Sequence, residues 1–306
     1  MSQKNIKDVS ASIRQKLLNK ARQDQRPFAE LLQYFAMERF LYRLTKSKYN
    51  DKFILKGALA LLTWNASTAR PTKDIDLLGV FDNNVDVITQ VITDICNQEI
   101  DTIDGLVFDV SSITGIQIKE DADYQGVRVK FLTFLDTARV TMQIDIGFGD
   151  AINPEPETSL YPTLLDLPAP EILSYSKETI ISEKLEAMAK LGELNSRMKD
   201  FYDIWLLSRQ FQFDGMELEK AITGTFSQRN TVIQADIEAF SESFAKTKDV
   251  QWKAFINKLD SEAIPLQLKV VILQIKEFLQ PILKSILKKS NYTKTWLPES
   301  GWRDAK

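Results

Sequence analysis

The sequence predicts an α+β protein: a mixed β-sheet carrying helices, followed by a helical C-terminal lobe. Three observations lead there. Residues 52–81 read strand, helix, strand; residues 106–148 alternate like an antiparallel meander; beyond a proline-rich stretch the apolar spacing becomes helical. The chain parts accordingly into N-terminal helices packing on the core (1–50), a sheet-bearing domain (51–165) and a helical domain (166–306).

Residues 8–23 are expected to be helical, because Ile13, Leu17, Leu18 and Ala21 recur at helical spacing. Arg26-Pro27 interrupts, and Phe28 to Lys46 forms a second helix. Its Leu31, Leu32, Phe35, Phe40, Leu41 and Leu44 nearly encircle it, which predicts burial against another layer. KFILK (52–56) reads as a strand, Gly57 as a tight turn and ALALLTW as a buried helix. DIDLLGVF (74–81) is the next strand. Val85 to Glu99 is helical, with Val85, Ile88, Ile92 and Ile95 on one stripe and Cys96 beside it as a small core residue.

Residues 106–118 and 126–135 read as strands. From Arg139 to Phe148 the alternation is strict: Val140, Met142, Ile144, Ile146 and Phe148 face one way, and Thr141, Gln143 and Asp145 the other. LDTAR is the hairpin connection between the last two strands. Five prolines between 153 and 170 predict an extended connection. Helices are expected at 177–191, 198–210, 215–223, 230–246, 250–259 and 265–289, with Pro281 breaking or kinking the last, and the final NYTKTWLPESGWRDAK is expected to be irregular.

Composition narrows the chemistry. At roughly 150 residues per domain, 306 residues suggest about two units. Lys plus Arg is 39 and Asp plus Glu 42, a net charge of −3, which argues against coating nucleic acid by bulk charge. With no histidine, every Ser-His-Asp or Cys-His mechanism and every His-based zinc site is excluded. The single cysteine allows no intrachain disulfide or thiolate cluster, so a metal must have oxygen ligands, as magnesium or manganese does. The start has no apolar leader and no run is long enough for a membrane span, so a soluble cytoplasmic protein is expected.

Asp74 and Asp76 lie i and i+2 at a strand start, so both carboxylates point one way. Their repulsion is relieved by a bridging divalent ion, as in phosphoryl-transfer sites; a solvated strand end or helix-cap pair is the plain alternative. Asp145, on the face opposite a large apolar stripe, is a candidate third ligand and an acceptor for a nucleophile's proton. Asp109 and Asp136 are weaker candidates. Lys56-Gly57 ahead of a helix could admit an anion to backbone N–H groups, although a tight turn explains the glycine equally well. In the helical half, Asp200 and Asp203 share a helix face at i, i+3 near Arg197 and Lys199, with Lys184 on the preceding helix. A salt-bridged helix pair is one reading. In the other, Lys184 meets a triphosphate while Arg197 and Lys199 orient nucleotide or acceptor.

The series KGALAL, RPTKDID, QIDIG, SEKLEAM and SRMKDFYDIW, in this order over about residues 50–210, resembles the AbiEii/AbiGii-type nucleotidyltransferase toxins, relatives of the DNA polymerase β-like fold. The resemblance implies a nucleotidyltransferase domain at 51–165 whose active site the C-terminal domain completes. Asp74, Asp76 and Asp145 would be its metal carboxylates, Lys184 its phosphate-contacting lysine and Asp200 the acid of its R-x-K-D motif. Arg197, Lys199 and Asp203 would surround Asp200, and Arg70 and Thr72 match the loop before the paired acids. One departure is Gly57-Ala58 where the family often has Gly-Gly or Gly-Ser, which bears on nucleotide preference. The implied function is Mg²⁺- or Mn²⁺-dependent transfer of a nucleoside monophosphate from an NTP to an RNA acceptor, such as a tRNA 3′ end. The implied setting is a toxin–antitoxin or phage-defence (abortive infection) system with an antitoxin encoded nearby. Alternatives are transfer to a protein or small-molecule hydroxyl, or an inactive binding protein on the same fold. Lys276, Lys284, Lys288, Lys289 and Lys294 form a basic C-terminal stretch, either a solvated helix face or an RNA contact.

Overall fold

The computed structural model describes residues 3–64, 66, 70–120, 124–259 and 263–304. They form two compact units. The first contains helices α1 (Gln3–Gln23), α2 (Phe28–Lys46), α3 (Gly57–Thr63) and α4 (Val85–Cys96). Its strands are β1 (Phe53–Lys56), β2 (Ile75–Gly79), β3 (Leu106–Glu120), β4 (Tyr124–Leu135), β5 (Ala138–Phe148), β6 (Glu157–Leu160) and β7 (Glu171–Ser174). The strands build one sheet in the order β3-β4-β5-β2-β1-β7-β6. β2 runs parallel to β5 and β7 parallel to β1, while the other pairs are antiparallel, so the sheet is mixed as predicted.

The alternation in β5 is a burial pattern as far as Ile144; beyond it Asp145 and Gly147 on the other face are buried as well. Met142, Ile144 and Ile146 are fully buried, and α2 packs against this strand. On α2, Leu31, Phe35, Phe40 and Leu41 are also fully buried, each worth roughly 1.5–3 kcal/mol against exposure. The helix buries charge too. Arg43 makes a two-pronged bond to Asp104 (2.6 and 3.0 Å), Glu38 accepts from the Leu164 amide (2.7 Å) and Arg39 donates to the Pro168 carbonyl (2.7 Å). The proline-rich stretch is therefore fastened to α2, and part of it pairs as β6 on the sheet edge. Cys96 is buried, and burial pushes its thiol up to about 12, so it is an inert core residue.

The second unit contains α5 (Lys177–Leu191), α6 (Met198–Gln210), α7 (Gly215–Gln228), α8 (Glu242–Ile256) and α9 (Leu268–Leu287). It also holds β8 (Phe213–Asp214), β9 (Lys294–Leu297) and β10 (Gly301–Asp304), and the segments Ala66–Pro71 and Asp150–Pro156 cluster with it. Side-chain caps start three of the helices: Ser176 accepts from the Thr179 amide, Asp214 from Met216 and Glu217, and Ser241 from Phe244. Arg229 reaches Asp150, Glu183 and Glu186 (3.0, 3.4 and 3.0 Å), tying the 150–156 segment to α5.

Two local expectations fail, and of the break or kink expected at Pro281 the break does not occur. No helix spans 230–246: the chain turns at Asn230 (φ 51°), Thr231 donates to Glu186, and Ser241 then opens α8, which runs through the gap expected near 247–249. α9 continues through Pro281, with Ile282 and Leu283 fully buried just beyond it. The C-terminus is a hairpin, with Trp302 opposite Trp296. Trp296 packs on Phe278 at 4.8 Å and donates to the Ser208 carbonyl (2.6 Å), contacts that outweigh the weak strand propensity of the segment. No helix among the described residues is long and apolar enough to cross a membrane.

Candidate active site

Asp76 lies on β2 and Asp145 on β5. These strands are parallel and adjacent, and their register sets the two acids directly opposite one another. With Asp74, immediately before β2, they form a cluster in which one carboxylate oxygen from each lies within 4.8 Å of the others. Two unit charges at that separation repel by roughly 3–4 kcal/mol at an effective dielectric of about 20. Cations flank the pair. Lys56 on β1 is opposite Asp76, and Arg128 on β4 is opposite Asp145, so one row across four strands reads Lys56, Asp76, Asp145, Arg128.

The carboxylates are oriented before any ligand arrives. Arg128 donates from Nε and Nη2 to the two Asp145 oxygens (2.8 and 2.7 Å), and Gln143 adds a bond at 3.2 Å. The Thr72 hydroxyl donates to Asp74, and the Thr72 amide donates to the Tyr34 hydroxyl on α2 (3.1 Å). A carboxylate oxygen has two lone pairs; Arg128 and Gln143 occupy both on Asp145 Oδ2, and Arg128 leaves one on Oδ1. Three hard oxygen donors converging from two strands suit a divalent ion of the magnesium or manganese type.

Gly57 has a cause that neither sequence reading supplied. It begins α3 at φ 69°, and a Cβ there would fall on the Asp76 carboxylate. The glycine makes room for the acid. Ala58 is buried and offers no hydroxyl, while Lys56 is buried beside it.

The helical unit holds a second charged cluster. Lys184 on α5 lies 2.8 Å from both Asp200 and Asp203 on α6, and both acids are fully buried. Arg197 meets Asp200 at 2.7 Å and Arg70 meets Asp203 at 3.1 Å. Burial alone would lower the Lys184 pKa, but Asp200 and Asp203 outweigh it and hold the pKa above the ordinary lysine value. Burial likewise works to raise Asp200, and Lys184 and Arg197 overcome it, holding that carboxyl below its usual range. Three cations thus meet two carboxylates.

The predicted residues therefore fall into two groups: Lys56, Gly57, Thr72, Asp74, Asp76 and Asp145 in the first unit, and Arg70, Lys184, Arg197, Asp200 and Asp203 in the second. Lys199 is exposed and makes no ion pair among the described residues. The weaker candidates stand apart: Asp109 accepts from Ser111 within β3, where the register with β4 shifts, and Asp136 sits at φ 53° in the β4–β5 connection. Lys284, Lys288, Lys289 and Lys294 are exposed. Arg128 and Tyr34 were missed. Arg128 was legible in principle, because the two-residue turn that sets Leu135 opposite Ala138 also sets residue 128 opposite 145.

Comparison with known proteins agrees with this chemistry. No curated protein matches the chain. Among solved structures, a candidate nucleotidyltransferase from H. pylori aligns at 15% identity over 86% of this chain and 98% of its own, with a TM-score of 0.46. JHP933 from Helicobacter pylori aligns at 14% identity over 82% of this chain and 90% of its own, also at 0.46. Likenesses at that level carry no functional argument. The family model does: "Nucleotidyl transferase AbiEii toxin, Type IV TA system" matches residues 39–280, well over half of the chain and inclusive of both charged clusters. The protein belongs to the AbiEii nucleotidyl transferase toxin family of Type IV toxin–antitoxin systems.

Proposed function

We propose that this protein is an NTP-dependent nucleotidyltransferase that transfers a nucleoside monophosphate to an RNA acceptor in the cytoplasm, with the tRNA 3′ end as the preferred acceptor, and that a neighbouring antitoxin restrains it. The observation that carries the reading is the convergence of Asp74, Asp76 and Asp145 on the sheet, within 4.8 Å of one another. A magnesium or manganese ion held there would neutralise triphosphate charge and activate an attacking hydroxyl. This chain's own groups do the rest. Thr72 and Arg128 keep Asp74 and Asp145 in fixed orientations. The acceptor hydroxyl oxygen forms a bond to the α-phosphorus, the bond to the β-phosphate oxygen breaks, pyrophosphate leaves, and the hydroxyl proton passes to Asp145. Lys184 and Arg197, whose cluster retains one positive charge over its acids, bind the phosphates, while Asp200 and Asp203 hold Lys184 in place and Arg70 steadies Asp203.

The test is incubation with total bacterial RNA, Mg²⁺ and each α-labelled NTP in turn, beside Asp76→Ala. Label in a tRNA-sized band from the wild type alone is expected, and it names the nucleotide as well. Label on a protein, or the same labelling by Asp76→Ala, refutes the proposal.

A further inference from the structure

The second unit contains a cavity of about 630 Å³ lined by the start of α6 and the end of α8, a size within the roughly 300–1,000 Å³ of ligand pockets. Met198 and Phe255 supply apolar surface, and Arg70, Arg197, Lys199 and Lys258 supply charge. Among the described residues no carboxylate lines it. In a chain of net charge −3, a wall that presents cations and no carboxylate is a marked local feature, and its unpaired excess lies at Lys199 and Lys258.

The four cations are not equivalent. Arg70 and Arg197 are engaged by Asp203 and Asp200 and form a fixed wall. Lys199 and Lys258 are exposed, and neither makes an ion pair among the described residues. Phe255 is half-buried, its ring held by Tyr202 (5.8 Å, 63°) and Trp252 (5.7 Å, 37°). A rigid ring beside lysines without acid partners is how proteins take single-stranded nucleic acid, by base stacking and phosphate contact. Lys199 stands at the start of α6 and Lys258 in the turn after α8, a separation that suits successive singly charged phosphodiesters better than one compact triphosphate.

The geometry points to this cavity as the seat of an unpaired nucleotide of the RNA acceptor, its base on Phe255 and the adjoining phosphodiesters at Lys199 and Lys258. The inference rests on the RNA-acceptor reading above and adds Phe255 and Lys258 to it. The test measures affinity for a labelled single-stranded RNA across a salt series, and affinity for NTP with Mg²⁺, in wild type, Phe255→Ala and Lys258→Gln. Phe255→Ala should weaken RNA binding on the order of tenfold, the worth of one stacked base. Lys258→Gln, at an exposed position where folding is not at stake, should weaken it several-fold and reduce the slope of log affinity against log salt by about 0.7. Both variants should bind NTP like wild type. Unchanged RNA affinity and salt slope in Lys258→Gln overturns the inference, and so does a loss confined to NTP binding. The two readings separate cleanly: wild type that labels RNA while both variants bind RNA normally sinks the cavity alone. Wild type that labels no RNA, with both variants still weakened for RNA, sinks the transfer reaction and leaves the RNA seat standing.

Discussion

The Lys184–Asp200 pair is both a structural contact and a proposed phosphate site, and a double-mutant cycle separates the two. Asp200 is fully buried, with Lys184 Nζ at 2.8 Å and Arg197 Nε at 2.7 Å from its oxygens. Asp200→Asn leaves three cations around Asp203 alone, and removing one member of a buried pair costs about 3–5 kcal/mol. Lys184→Met is milder, because Arg70 stays with Asp203 and Arg197 with Asp200, two cations for two carboxylates. Losing two charged hydrogen bonds while recovering the lysine's desolvation costs about 2 kcal/mol. In the double variant the Arg70–Asp203 pair survives and half-buried Arg197 can turn to water. Its cost should therefore fall about 2 kcal/mol short of the sum of the two single variants. Urea unfolding of the four proteins measures this. Additivity within about 0.5 kcal/mol would show that the pair is energetically uncoupled and refute the account of the cluster. Turnover on the same proteins decides the second role. A double variant no less stable than Lys184→Met, with an unchanged KM for NTP, would remove Lys184 from phosphate binding.

Asp76→Asn should abolish stabilisation by Mg²⁺, which in the wild type amounts to about 1.4 kcal/mol at ten times the metal Kd; equal shifts in both proteins would refute metal binding at this acid. Gly57→Ala places an L-residue at φ 69° and its Cβ on the Asp76 carboxylate, so a loss of at least about 2 kcal/mol and of turnover is expected, with helix content by circular dichroism retained. A stable, active variant would contradict that crowding. Glu38 is raised from 4.5 to about 7, by burial first and against the pull of Arg39. The folded protein therefore keeps a proton that the unfolded chain releases, and stability should fall by roughly 3 kcal/mol as pH rises through 4.5–7. Glu38→Gln removes that titration, so its stability relative to wild type should climb across the same window in denaturant melts. A difference flat with pH would refute it.

What could be read from the sequence was whatever depends on neighbours along the chain. Alternation in 139–148 identified the apolar face of β5 and put Asp145 on the other, where it is buried among polar partners, and the i, i+2 spacing paired Asp74 with Asp76. What could not be read depends on long-range partners. Arg70 finds Asp203 from 133 residues away, and Tyr34 takes the Thr72 amide from 38. The C-terminal hairpin forms because Trp296 meets Phe278 and the Ser208 carbonyl, partners that no local pattern reveals. The acids were therefore legible while most of their counter-ions were not, and the counter-ions determine what each cluster can hold. On the sheet, Asp74, Asp76 and Asp145 stand against Lys56 and Arg128, three carboxylates to two cations. In the helical unit, Lys184, Arg70 and Arg197 stand against Asp200 and Asp203, three cations to two carboxylates. Each cluster is nearly balanced, so it tolerates burial without ligand, and the residual charges are opposite in sign. The excess of one carboxylate favours a metal cation and the excess of one cation favours a phosphate, which are the two charged components a nucleotidyltransferase must recognise.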